Sequence, residues 1–459
     1  MKNDIFSIVD SKAELIKDVG KKIWENPELG YKEKFASSLL KETLKDAGFL
    51  IKEVEGIPTA FIAEYGSGSP IIGILGEYDA LPSLSQKVST VKESVIENGN
   101  GHGCGHNLIG VGGVGACLSV KEMIEKGELS GTIRFYGCPA EELLSGKTFM
   151  AQKGVFDDLD TALTWHPFSF NGVCGFSTNA MLSAEFFFKG VSSHAGQEPE
   201  KGRSALDAVE LMNVGTNYLR EHIIDGARMH YTITNGGVAP NIVPAEASVW
   251  YYVRAPKKSD VYDIFDRLVK VSQGAALMTE TEVEYKIKAD CYNVLNNRTL
   301  EELLSKNMKE AGKVGFTEED KEFAEKLVQT IPENVYKKEL NKLGLKEGTY
   351  IDERALGVTG KGIVMGGSTD VGDVSYKVPT AQFGTACIPV GVAGHSWQAT
   401  SSFGSELGLK GAVYASKVLA GSLYDLLSDG KDILDKAKEE FKEVSEEYQT
   451  RLPKEFKND

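Results

Sequence analysis

The chain is short of several things that would place it in a familiar class. Its 459 residues include six cysteines, Cys104, Cys117, Cys138, Cys174, Cys291 and Cys387, with no Cys-x-x-Cys pair and no closely spaced framework. That scatter argues against both a disulfide scaffold and a structural zinc module. No stretch approaches the roughly 18 to 20 consecutive apolar residues of a membrane span. The opening MKNDIFSIVDSK lacks the basic region, apolar core and small-residue cleavage site of a secretory leader, so a cytoplasmic location is expected. Positive charge is scarce as well: 51 Lys and Arg against 66 Asp and Glu leave a formal charge of −15, which disfavours nucleic acid or an anionic membrane as partner. A small anionic substrate stays open, because one local arginine outweighs distant charge screened over about 10 Å. Histidine is rare too, at seven residues, yet two of them, His102 and His106, flank Cys104 in GHGCGHNL (101–108).

What is present reads as an ordinary globular protein, 41% hydrophobic and 25% charged, and its length makes two domains the default. Near the start, Ser11 and Glu14 have capping-box spacing, and Leu15, Val19 and Ile23 would share one helix face. A second helix is expected through Phe35, Leu39, Leu40 and Leu44, stopped at Gly48. Apolar runs at 59–65, 70–80, 132–142 and 161–167, with a helix over 107–127, alternate strand and helix in the manner of an α/β sheet. From about 182 the pattern changes to alternating strands around a long helical run at 204–223. The expected architecture is α/β: a catalytic domain with a mostly parallel sheet flanked by helices, in parts 1–181 and 291–459, interrupted by a smaller α+β domain over 182–290. The charged stretch 317–350 is expected to be a surface excursion.

Cys104, His106, Glu142, His166 and His395 offer thiolate, imidazole and carboxylate, the donors that borderline divalent metals accept. Asp79, Glu142, His166 and His395 each follow or end an expected strand, where open α/β sheets carry their chemistry. One histidine after a strand is more often structural; four strand ends each offering a ligand type shift the balance toward a metal site. Gly110, Gly112 and Gly115 spell the G-x-G-x-x-G of dinucleotide binding, but no hydrophobic strand precedes them and no acidic residue ends a second strand about 20 positions on. Close helix packing explains them better. His194, Asn241 and Arg254 fall in the inserted domain, where their residue types alone leave a structural and a binding role open.

Taken together, GHGCGHN, CPAEE, TWHP, SSHAG, TNGGVAPNIVP, GSTDVGDVSYKVPT and GHSWQ resemble, in order and over nearly the whole chain, the di-metal amidohydrolase and carboxypeptidase family of aminoacylase and carboxypeptidase G. The resemblance implies a ferredoxin-like lid that also dimerises, and two divalent ions per subunit, manganese or zinc with cobalt admissible. It implies that Cys104 bridges the ions and that His106, Glu142, His166 and His395 complete their shells. Glu141 would be the general base and Asp79 would orient a ligand imidazole. His194 of the partner subunit would donate to the oxyanion, and Asn241 and Arg254 would hold the substrate carboxylate. The implied reaction cleaves the amide of an N-acyl amino acid, with p-aminobenzoyl-glutamate the leading substrate. A dipeptidase or a general N-acyl amino acid deacylase is the alternative within the class, and a non-catalytic subunit of a heteromer the alternative outside it. Three departures from the family stand out: Asn107 where many relatives have Asp, Glu77 where aspartate-bridged members have His, and a polar AGQEPEKG after His194.

Overall fold

The computed structural model describes residues 2–456, which form two compact units. The first comprises the chain up to Ser177, Leu295–Ile363 and Val374–Tyr448. Its centre is an eight-stranded sheet in the order Leu50–Glu53, Phe61–Ser67, Gly131–Cys138, Ile71–Glu77, Thr161–Phe168, Thr380–Ala386, Asn171–Cys174, Ala355–Thr359. The four middle strands, from Gly131–Cys138 to Thr380–Ala386, run parallel to one another, and antiparallel pairs lie toward both edges. Ile71–Glu77 (IIGILGE) is buried from its second residue onward, the pattern of a strand covered on both faces.

The helix His106–Glu125 packs against this sheet, and the helices Ala13–Glu25 and Glu406–Asp429 pack against it in turn. Its glycines are where backbones approach. A Cβ at Gly110 would lie 2.8 Å from the Glu77 carbonyl oxygen, and one at Gly112 would lie 2.6 Å from Trp165 Nε1. This is the packing role expected of them, and a bulkier residue would push the helix off the strands that carry Glu77 and His166. Among the described residues this is the one helix long and apolar enough to cross a membrane, and it lies largely in the core.

Several local expectations are corrected. Ser11 closes a first helix, Lys2–Ser11, and its hydroxyl donates to the Ile8 carbonyl, so the next helix begins at Ala13 with Lys12 as cap and no capping box. Starting there turns Ile16, Val19 and Ile23 inward and leaves Leu15 exposed. His166 lies inside Thr161–Phe168 rather than at its end, because the strand continues two residues further. His395 stands nine positions beyond the end of Thr380–Ala386, in a loop. The 317–350 stretch carries two helices, Glu318–Val328 and Glu333–Leu343, the first with a complete Thr317–Asp320 capping box. They bury small clusters of their own, such as Val328, Tyr336, Leu340 and Val390.

The second unit comprises Thr178–Val294, Val364–Asp373 and the chain from Gln449 onward, so its main segment is wider than 182–290 at both ends. Its elements run strand, helix, strand, strand, helix, strand: Ala180–Lys189, Ala205–Leu219, Arg228–Asn235, Glu246–Ala255, Lys258–Thr279 and Glu282–Cys291. The antiparallel sheet has the fourth strand beside the first, then the third, then the second, the ferredoxin-like arrangement. Its separate core is built on Phe186, Phe188, Val249, Tyr251, Phe265 and Leu268.

Candidate functional site

In the first unit, side chains from five places in the chain meet at the carboxyl end of the parallel strands. Glu77 ends Ile71–Glu77, and Asp79 follows it by two residues. Cys104 lies in the loop before the helix that begins at His106. Glu141 and Glu142 occupy a single 3-10 turn after Gly131–Cys138, flanked by Ala140 and Leu144, both at φ +54°. Two carboxylates hold that strained turn from behind. Glu33 Oε1 accepts the Ala140 N–H at 2.8 Å, and Asp79 Oδ2 accepts the Glu142 N–H at 2.9 Å. His395, at φ +56°, donates its N–H to the Gly103 carbonyl at 2.8 Å, which ties its loop to that of Cys104.

Three groups of potential ligand atoms result, each with its members within 4.8 Å of one another: Cys104 with His106 and His166, Cys104 with Glu142 and His395, and Glu77 with His106 and Glu141. Cys104 Sγ is common to the first two, so two ions held there would share it. Cys104 Sγ lies 3.4 Å from His166 Nε2, and Glu142 Oε1 lies 3.7 Å from His395 Nε2. The orientation of the imidazoles is fixed from outside: His106 Nδ1 is 2.7 Å from Asp79 Oδ1, and His166 Nδ1 is 2.9 Å from the Pro167 carbonyl oxygen. Both rings thereby aim Nε2 inward as an acceptor. His106 Nε2 and Glu142 Oε1 are buried with no hydrogen-bond partner, which in a close-packed interior calls for a cation. The residues therefore fit divalent ions.

The electrostatics of the bare protein agree. Burial pushes the Cys104 thiol up to about 12 against the opposing influence of His106, and burial with Asp79 and Glu77 nearby raises Glu142 to about 7. Burial, assisted by His106, lowers His166 to about 4 and also lowers His395. Burial acts against charge on Asp79 and His106 too, but their mutual attraction wins, holding the Asp79 carboxyl below its usual range and His106 well above its own. Donors crowded this closely retain protons that a bound ion displaces.

Three residues of this cluster have little or no signal in the sequence. Glu77 stands out there only as a replacement for a histidine. Lys147, fully buried, has Nζ 2.6 Å from Glu77 Oε1; its one clue is a lysine in the small and apolar run SGKTFMA. Glu33 is fully buried, with burial and Asp79 raising its carboxyl to about 8. His102 is buried outside the three groups, its imidazole lowered to about 3 by burial. Asn107 also lies outside them, its amide donating to the carbonyls of Gly20 at 3.3 Å and Phe403 at 3.2 Å, a tie between helices.

His194, Asn241 and Arg254 belong to the second unit. His194 and Asn241 are neighbours there: the Ala195 N–H donates to the Asn241 carbonyl at 3.0 Å, and both side chains are exposed. His194 Nδ1 accepts from the N–H groups of Gly196 and Gln197, each at 3.1 Å, so the ring proton is on Nε2. Arg254 is half-buried on Glu246–Ala255, with Nη1 3.3 Å from Ser368 Oγ and a buried Nε lacking a partner.

The model of a peptidase dimerisation domain matches residues 176–278. The chain is 41% identical to one of the two subunits of the p-aminobenzoyl-glutamate hydrolase of Escherichia coli (strain K12), over 98% of each chain. It is 29% identical to the Xaa-Arg dipeptidase of Mus musculus, over 95% of this chain and 90% of that one. Among solved structures, a dinuclear metal binding peptidase from the M20 family of Bacillus subtilis superposes with a TM-score of 0.53 at 18% identity, covering 89% of this chain and 98% of that one.

Proposed function

The chain belongs to the M20 family of metal-dependent hydrolases of amide bonds, and on that premise we propose that it cleaves p-aminobenzoyl-glutamate to p-aminobenzoate and glutamate. The observation that carries the reading is the pair of donor triads sharing Cys104 Sγ, with the buried Glu141 carboxylate beside them. Cys104, His106, Glu142, His166 and His395 hold two divalent ions, manganese or zinc, with cobalt acceptable to the same donors. Ions in such a site supply Lewis-acid chemistry, lowering the pKa of water and polarising an amide carbonyl.

The protein residues do the rest. Glu141 takes the proton of the attacking water and returns it to the leaving amine nitrogen. Asp79 keeps the His106 proton on Nδ1 so that Nε2 stays a donor to metal. The partner's His194 brings its Nε2–H to the oxyanion, a role that its backbone-fixed tautomer suits. Asn241 and Arg254 bind the glutamate carboxylates, the unpartnered Arg254 Nε leaving a charged donor for that purpose. The acting form is a dimer in the cytoplasm. A different, second polypeptide belongs to the same proposal, since the 41% identical relative is by name one of two subunits of its hydrolase.

A dipeptidase is the second reading, favoured by the Xaa-Arg dipeptidase relative. A non-catalytic role in a heteromer is disfavoured because Glu141 and all five metal donors are in place. The test is a hydrolysis screen with metal-stripped protein reloaded with manganese, zinc or cobalt. p-Aminobenzoyl-glutamate is expected to be cleaved fastest among N-acyl amino acids and dipeptides, and Glu141→Gln is expected to keep both ions and lose most turnover. Preference for dipeptides would replace the substrate assignment, and retained turnover in Glu141→Gln would remove that residue from the role of base.

A further inference from the structure

We propose that Glu77 is a further donor of the metal centre, sharing a divalent ion with His106, and that Lys147 is the residue that positions it. The inference rests on the metal-centre reading above and adds to it a ligand and its support.

The argument starts at His106. Its Nδ1–H is engaged by Asp79 Oδ1 at 2.7 Å, so Nε2 presents a lone pair. That lone pair faces Glu77 Oε2 at 3.5 Å and Glu141 Oε2 at 3.8 Å, in a region where His106 is wholly buried. Three acceptors pointed at one another repel. Protonating Nε2 would not resolve the contact, since a charge-assisted hydrogen bond is about 2.7 to 2.9 Å long and neither oxygen is so close. A shared cation resolves it with little movement. Two donors about 2.1 Å from one ion are about 3.0 Å apart in octahedral and about 3.4 Å apart in tetrahedral geometry. The 3.5 Å between Glu77 Oε2 and His106 Nε2 is close to such an edge.

Lys147 explains why Oε2 is the oxygen that faces the ion. Its side chain is fully buried, and a buried ammonium must be paired. Nζ lies 2.6 Å from Glu77 Oε1, which anchors one carboxylate oxygen and turns the other toward His106. The pair sums to zero charge, so the centre gains an oxygen donor without gaining net negative charge. An oxygen donor opposite the thiol of Cys104 also gives the two ions unequal surroundings, one of them harder than the other.

The test uses the full-length chain, stripped of metal, as wild type, Glu77→Gln, Lys147→Met and the double variant. Each is titrated with cobalt(II) alone, by visible absorption and by competition with a chelator. The wild type is expected to take up two ions. Glu77→Gln should weaken one of them by roughly 10- to 100-fold, the range found when groups supporting a metal site are removed, and leave the other nearly unchanged. Its visible cobalt bands should intensify as coordination number falls. Lys147→Met should weaken the same ion by a smaller factor, with Glu77 still present but loosely held. If either single variant fails to fold because a buried charge is left unpaired, the double variant, with neutral groups of similar shape, carries the test and should show the Glu77→Gln loss. Two ions bound at wild-type affinity with an unchanged cobalt spectrum, in Glu77→Gln or in the double variant, overturns the assignment of Glu77. No uptake by the wild type overturns the metal-centre reading itself.

Discussion

Replacing Asp79 with Asn changes one atom, yet it should impair both folding and metal binding. The Asp79 carboxylate is fully buried and accepts two hydrogen bonds, from His106 Nδ1–H at 2.7 Å and from the Glu142 N–H at 2.9 Å. An asparagine has one accepting oxygen and one donating nitrogen. If the oxygen stays with His106, the amide NH2 is aimed at the Glu142 N–H, and two donors face each other. If the amide flips, the oxygen satisfies Glu142, and His106 must move its proton to Nε2, the atom that faces Cys104, Glu77 and Glu141. Either way a buried polar group is left unmatched, at a cost of about 1 to 3 kcal/mol, and a charge-assisted bond to His106 becomes a neutral one. In the second arrangement the ligand atom is blocked as well. The expected outcome is a loss of about 2 kcal/mol in the metal-free protein, and metal affinity lower by roughly 10- to 100-fold. Chemical denaturation of the stripped protein measures the first, and titration against a chelator measures the second. Wild-type stability together with wild-type affinity in Asp79→Asn would refute the claim that this carboxylate sets the His106 tautomer.

Three further outcomes are expected. Glu33 is held protonated by burial, its carboxyl raised to about 8, so its contribution to stability is complete below the ordinary carboxylate range and is lost as pH rises through about 8. Glu33→Gln keeps an oxygen for the Ala140 N–H and does not ionise, so its melting temperature should gain on that of the wild type between about pH 5 and pH 8; parallel curves would count against a protonated Glu33. Gly112→Ala places a methyl 2.6 to 2.8 Å from the Trp165 ring, and an overpacking cost of about 1 to 3 kcal/mol against a helix-propensity gain of about 1 should leave a net loss in denaturant titrations. Because Trp165 precedes His166, metal affinity should fall with it. Mixing inactive His194→Ala with inactive Glu141→Gln should restore some activity if the histidine acts across subunits, and no recovery despite verified subunit exchange would place His194 elsewhere.

The third group of donors changes how the site is understood. A five-residue set built on Cys104 accounts for two ions, but it leaves unexplained a lysine buried beside those ions, where positive charge would be repelled. Pairing with Glu77 supplies the reason, and it makes the region around His106 the most densely charged part of the core: Glu77, Asp79, His106, Glu141 and Lys147 are all buried. Charges are taken out of water in such number at functional sites, where a bound ion offsets the cost.

The sequence by itself determined the strands and helices whose apolar runs are long and evenly patterned, the change of texture near residue 180, and the donor residues. Cys104, His106, Glu142, His166 and His395 were legible because thiol, imidazole and paired carboxylate after apolar runs are unusual enough to notice singly. What the sequence left open was everything that depends on distance. Where the first helix ends and the second begins turned on a single hydrogen bond from Ser11, a local competition that periodicity does not report. That Cys104 is common to two donor groups follows from a loop fixed by the Gly103 to His395 hydrogen bond, between residues far apart in the chain. Glu33, Glu77 and Lys147 are residue types that usually lie in water, and only tertiary packing, by enclosing them 0 to 3% exposed around the same histidine and turn, made them part of the chemistry.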